Sequence, residues 1–168
     1  YIAGHASTSL SLAAGTAVAR DLKNKDFNII AIIGDGALTG GLAFEGLNNL
    51  GHLQKDVIVI LNTNEMSIAP NVGAIAGYLN RIITGSVYNK IKTRIEKILL
   101  AFPEIGKKLY KWKNKIAEVI KALFVPGVLF EELGFKYVGP IQGHNLRHLI
   151  ENLRNIKNLK RRPVLLHV

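Results

Sequence analysis

The segment Phe27–Ile33 is apolar except at Asn28 and runs directly into Gly34-Asp35-Gly36. Its length and its isoleucines predict a strand buried on both faces, since a short apolar run without alternation leaves no side for water. Val57–Leu61, reading VIVIL, predicts a second strand of the same kind. Helical spacings separate and follow these runs. Ser7–Leu22 is predicted as a helix with Ser7, Thr8 and Ser9 as candidate caps, and Ala13, Ala14, Gly15 and Ala17 make its middle small enough for close packing. Leu42–Leu50 carries Leu42, Ala43, Leu47 and Leu50 at helical intervals, and Leu146–Leu159 places Leu146, Leu149, Ile150, Leu153 and Ile156 on one side. Phe135–Val138 and Val164–Val168 are predicted strands, Gly73–Leu79 fits either type, and Ile91–Phe124 reads as helix broken at Pro103. Strands alternating with helices define an α/β fold: a doubly wound parallel sheet with helices on both faces.

In such a sheet, ligands sit beyond the carboxyl ends of the strands. Four segments are therefore expected along one edge: Gly34-Asp35-Gly36, Asn62 to Asn64, Gly139 to His144, and His167. Asp35 and Asn64 together offer hard oxygen ligation, which suits Mg²⁺, an ion that takes few protein ligands and fills its shell with water and phosphate oxygens. Gly34 and Gly36 allow a tight turn and close backbone approach, and a helix starting there would favour an anion. The implied ligand is a metal-bound phosphate or diphosphate. The same pattern is equally met by Asp35 as a helix cap and Asn64 as a turn residue. Gly4-His5-Ala6-Ser7-Thr8-Ser9, small and hydroxyl-rich before a helix, is a second candidate phosphate loop, with His5 as its candidate catalytic residue. His144 is a candidate site residue, while His52 and His148 are expected on solvated helical surfaces.

Composition narrows the classes. The chain has 168 residues, 48% of them hydrophobic, which suits one domain, residues 1–168, with a real core. No apolar run reaches the roughly 18 residues that span a bilayer, so no membrane partner is expected. The absence of cysteine excludes disulfides and thiolate metal sites and fits a reducing, cytoplasmic setting. The chain opens on Tyr1 and stops in PVLLHV, so a piece of a larger protein is expected. The net charge of +10 is concentrated in residues 88–124, where ten Lys or Arg face Glu96, Glu104 and Glu118. A local basic stretch of this kind reads as a solvated helical face, and nucleic acid is not expected as a partner. A dinucleotide-binding fold is disfavoured, because it needs Gly-x-Gly-x-x-Gly after the first strand, and here the acid lies inside the glycines.

The stretches GHASTSLSLAAGTAVA, IIGDGALTGGLAFEGLNNLG, VILNTNEMSIAPNVGAI and VPGVLFEELGFKYVGPIQGH, in this order and over nearly the whole chain, resemble the 1-deoxy-D-xylulose-5-phosphate synthases, transketolase-like thiamine-diphosphate enzymes. The resemblance implies Mg²⁺ held by Asp35, Asn64 and the Met66 carbonyl, and thiamine diphosphate contacted by Gly4, His5, Ala6, Gly36, Ala37 and, through the bridging metal, Asn64. It implies condensation of pyruvate with glyceraldehyde 3-phosphate, loss of CO₂, a product that feeds isoprenoid, thiamine and pyridoxal synthesis, and a homodimer. It also implies that 88–124 is a helical insertion without a catalytic motif, and that a Glu from another domain activates the cofactor. Residues 1–168 alone are therefore expected to bind metal and diphosphate without turnover. Three positions depart from the family pattern: Ala6 where Ser is common, and Thr63 and Gln142 where Asp is usual.

Overall fold

A computed structural model of the chain describes residues 4–63, 73–84, 127–159 and 162–168, with the side chains of 80–84 excepted. The predicted Ile91–Phe124 helix, the whole of 88–124, and the candidate ligands Asn64 and Met66 lie outside the described residues. The elements run α1 (Ser9–Leu22), β1 (Ile30–Gly34), α2 (Asp35–Leu38), α3 (Gly41–Leu53), β2 (Ile58–Asn62), α4 (Ala74–Thr84), α5 (Val128–Glu132), β3 (Lys136–Val138), α6 (Leu146–Lys157) and β4 (Val164–His167). The four strands form one sheet in the order β1-β2-β4-β3, every pair parallel. Ile30 pairs with Ile58 and Ile58 with Val164, so the strands start level and their carboxyl ends share one edge.

The two sheet faces carry different cores. On one, Leu10, Ala13, Ala14 and Ala17 of α1, Ala43, Leu47 and Leu50 of α3, Leu79 of α4 and Phe130 of α5 pack on Ala31, Ile33, Val59, Leu61 and Leu165. Each fully buried Leu there contributes roughly 1.5–3 kcal/mol. On the other, α6 delivers Ile156, with Leu149 and Leu153 partly buried, onto Val164 and Leu166. Helices therefore lie on both faces, as expected.

Three expectations are corrected. β1 is not buried on both faces: Ala31 and Ile33 enter the core, whereas Ile30 and Ile32 are 53% and 64% exposed, because α6 sits over β4 and leaves the β1 end of its face uncovered. The continuous apolar run signalled double burial, and β4, with all four residues buried, is the strand that has it. The hydroxyls before α1 are not caps either. Thr8 occupies the N-cap without a side-chain bond, and the Ser7 hydroxyl instead donates to the Ala37 carbonyl at 2.7 Å. In α6, Leu146 and Ile150 are exposed, so the buried stripe is narrower than its periodicity suggests.

Packing is closest where helices meet through glycine. Gly46 of α3 lies against α1, where a Cβ would stand 2.9 Å from the Leu10 Cβ. A Cβ on Gly51 would overlap the Leu133 carbonyl, a backbone atom with no room to yield. Gly15 on α1 faces open space. Substitution by alanine should therefore have opposite signs at the two sites. Gly51→Ala is expected to destabilise by about 3 kcal/mol or more, as overpacking against backbone does. Gly15→Ala should stabilise by up to ~1 kcal/mol by removing a mid-helix glycine. Denaturant unfolding of the two variants checks both signs, and equal effects would refute this packing.

Candidate functional site

The carboxyl edge of the sheet gathers the segments the sequence pointed to, as far as they are described. Gly34 pairs with Asn62, Leu61 with His167, and Val138 with Leu166. β1 ends directly in Asp35, the first residue of α2, which is 8% exposed. The N-cap of α2 is Gly34, in extended backbone, so Asp35 is not the capping residue. With four residues, α2 is too short to act as an anion-binding dipole. What it contributes is the turn that sets Asp35, Gly36 and Ala37 along the edge.

The Gly4–Ser7 loop comes to the same edge. Ser7 adopts a φ of 69° and its hydroxyl reaches the Ala37 carbonyl, which ties the loop carrying Gly4, His5 and Ala6 to the Gly34–Gly36 turn. Gly40 makes this approach feasible, since a Cβ there would sit 2.5 Å from Ser7 Oγ. Gly4, His5 and Ala6 are exposed beside it. The remaining histidines separate as read from the sequence for His52 and His148, both exposed; His144, past Gly139, is exposed as well. Gly139 itself lies against β4, with a would-be Cβ 2.6 Å from the His167 carbonyl oxygen.

Two residues of the expected edge segments, Thr63 and His167, meet Tyr137, which the sequence did not single out, behind this edge. His167 is completely buried at the end of β4. Its Nδ1 lies 2.8 Å from the Tyr137 hydroxyl and its Nε2 2.9 Å from Thr63 Oγ1. Thr63, the residue after β2, donates from both Oγ1 (3.0 Å) and its backbone N–H (2.8 Å) to the Val168 carbonyl. Behind them, Tyr137 stacks on Phe130 with centroids 5.9 Å apart. Burial pushes the Tyr137 phenol well above its ordinary range. Burial pulls His167 down from 6.5 to about 4, and the Asp35 carboxylate nearby opposes this only in part. The one sequence signal was a polar residue ending an otherwise apolar strand.

An open parallel α/β sheet with a buried carboxylate between two glycines at its carboxyl edge is the arrangement in which this class of fold places its ligands. The family model described as 1-deoxy-D-xylulose-5-phosphate synthase matches residues 1–168, and the chain belongs to that family. Proteins named 1-deoxy-D-xylulose-5-phosphate synthase from Syntrophus aciditrophicus and Caldanaerobacter subterraneus subsp. tengcongensis are 55% identical over 165 residues and 57% identical over 166, covering 98% and 99% of this chain. The chain spans about a quarter of the length of these relatives, 25% and 26%. An X-ray structure from Mycobacterium smegmatis, described as a thiamin diphosphate-dependent enzyme, shares the fold with a TM-score of 0.56 at 10% identity, over 98% of this chain and 22% of its own.

A buried histidine held neutral gives the domain a pH signature. Between about 6.5 and about 4 the unfolded chain binds a proton at this position and the folded one does not, so stability is full above about 6.5 and falls as the pH drops toward 4. A depression of this size corresponds to a loss of about 3 kcal/mol. Urea unfolding of the metal-free protein across pH 4–8 should show that decline, and His167→Gln should flatten it. An unchanged slope in His167→Gln would remove His167 as its source.

Proposed function

We propose that this chain supplies the metal- and diphosphate-binding part of the active site of a 1-deoxy-D-xylulose-5-phosphate synthase. The enzyme joins pyruvate to glyceraldehyde 3-phosphate with loss of CO₂, and it works as a cytoplasmic homodimer that needs neither nucleic acid nor membrane. The observation that carries the reading is the buried Asp35 carboxylate at the first position beyond β1, on the edge where β2 ends in Asn62-Thr63, in a chain matched throughout by that family.

The donor set fits Mg²⁺. Among the described residues no three His, Cys, Asp or Glu side chains cluster to hold a metal by themselves. One carboxylate at an open edge suits an ion that keeps water and takes phosphate oxygens as its other ligands. In this reading Asp35, Asn64 and the Met66 carbonyl hold Mg²⁺, and Gly36 and Ala37 let the backbone come close to the diphosphate. Gly4, His5 and Ala6 face the cofactor from the loop anchored by Ser7, with His5 positioned to exchange a proton with bound reactant. When bound, thiamine diphosphate supplies the electron sink for decarboxylation, and the protein supplies binding and orientation. Residues 1–168 form one domain in this proposal, with 88–124 inserted in it, and by themselves they bind without turning over.

Asp35→Asn in the intact enzyme tests the reading, because it keeps shape and removes charge. Affinity for Mg²⁺-thiamine diphosphate should fall by roughly a hundredfold, with activity partly restored at high metal and cofactor, since a hard-ion site depends on carboxylate charge. A residue serving only a helix start would tolerate the exchange. Calorimetric titration reads the affinity, alongside melting of the metal-free protein, and unchanged binding would refute the metal-ligand role.

A further inference from the structure

His167 is buried, polar and in no contact assigned above to cofactor or metal. Its hydrogen bonds can be given directions by counting protons. The Thr63 hydroxyl has one proton, and it goes to the Val168 carbonyl. Thr63 Oγ1 is therefore an acceptor toward Nε2, so Nε2 carries the imidazole proton. A neutral imidazole then offers Nδ1 as acceptor, and the Tyr137 hydroxyl donates to it. The chain runs one way, from Tyr137 through His167 and Thr63 to Val168, joining β3, β4 and the end of β2. No buried side-chain nitrogen or oxygen among the described residues is left without a partner. Thr63 is the pivot: it takes the histidine proton, gives its own, and adds a backbone bond to the same carbonyl.

We propose that Thr63 is a positioning residue of the metal–diphosphate edge, whose hydroxyl fixes His167 as the Nε2–H imidazole and locks the tip of β2 to β4 one peptide bond before Asn64. This rests on the function proposed above. A side chain with no acceptor at position 63 orphans Nε2–H. The Tyr137 hydroxyl still needs Nδ1 as its acceptor, so the imidazole keeps its proton on an Nε2 that now has no partner, and the side-chain tie from the tip of β2 to the Val168 carbonyl is lost while the backbone bonds stay.

The test uses the intact protein labelled with ¹⁵N-histidine, with His167→Asn to assign the signal. NMR reads which ring nitrogen carries the proton, and calorimetry reads Mg²⁺-thiamine diphosphate affinity. Thr63→Ser should match the unsubstituted protein in both. Thr63→Val, of the same shape, should keep the His167 proton on Nε2 but leave that N–H unpaired, shifting its signal and speeding its exchange, and should weaken binding roughly tenfold, the scale of lost outer-shell support. Tyr137→Phe should leave the proton on Nε2, because Thr63 still accepts it, and this second variant decides the tautomer claim should Thr63→Val fail to fold. A Thr63→Val protein whose Nε2–H signal and exchange match those of the unsubstituted protein, or that binds within twofold of it, would overturn the inference, as would a proton found on Nδ1 in the unsubstituted protein or in Tyr137→Phe. Failure of the unsubstituted protein to bind Mg²⁺-thiamine diphosphate would instead overturn the proposed function.

Discussion

The pairing of β4 between β2 and β3 holds the structure together. Val164–His167 is the strand with all residues buried, hydrogen-bonded on both sides and covered on both faces. Without it, β1–β2 and β3 are separate pieces. It follows β1, β2 and β3 in sequence but is inserted between β2 and β3 in the sheet. Its contacts therefore join residues far apart in sequence, which makes assembly of the sheet a late and slow event in folding. The edge that carries Asp35 depends on this strand twice: β4 aligns β2 through the sheet register, and its end supplies His167 and the Val168 carbonyl that anchor Thr63.

The sheet was legible because apolar runs and helical spacings reflect burial. β2, β3, β4, α1, α3 and α6 fall within one to three residues of their expected ends. What escaped was set by tertiary context. β1 begins at Ile30 rather than Phe27, since register with β2 starts at Ile58 and Phe27 stays exposed. α2 and α5, with four and five residues, are too short to show a period. α5 is fixed from outside, by the Tyr78 hydroxyl accepting the Gly127 and Leu129 N–H groups and by the stack of Phe130 on Tyr137. α3 ends on Gln54 in the left-handed region, φ 48°, where propensity favours Gly, because its amide also bonds the Gly134 carbonyl at 2.9 Å.

The site was legible by position more than by detail. Strand ends identify the edge, and Gly-Asp-Gly identifies its carboxylate. The role of Ser7 was not readable: its hydroxyl serves a loop-to-loop bond thirty residues away in sequence, and local pattern assigns it to a cap. The Thr63–His167–Tyr137 chain was hidden for the same reason, since its members lie 104 and 30 residues apart and meet only through strand order.

Tyr78 couples α4 to α5 through one atom. Its hydroxyl, near the start of α4, holds the backbone at Gly127 and Leu129, so one side chain clasps both flanks of residues 85–126. α4 and α5 are thereby joined at a single oxygen. A side chain without this oxygen would leave two N–H groups at the start of α5 without the acceptor the fold gives them, and with them the support beneath Phe130 and, through its stack, beneath Tyr137.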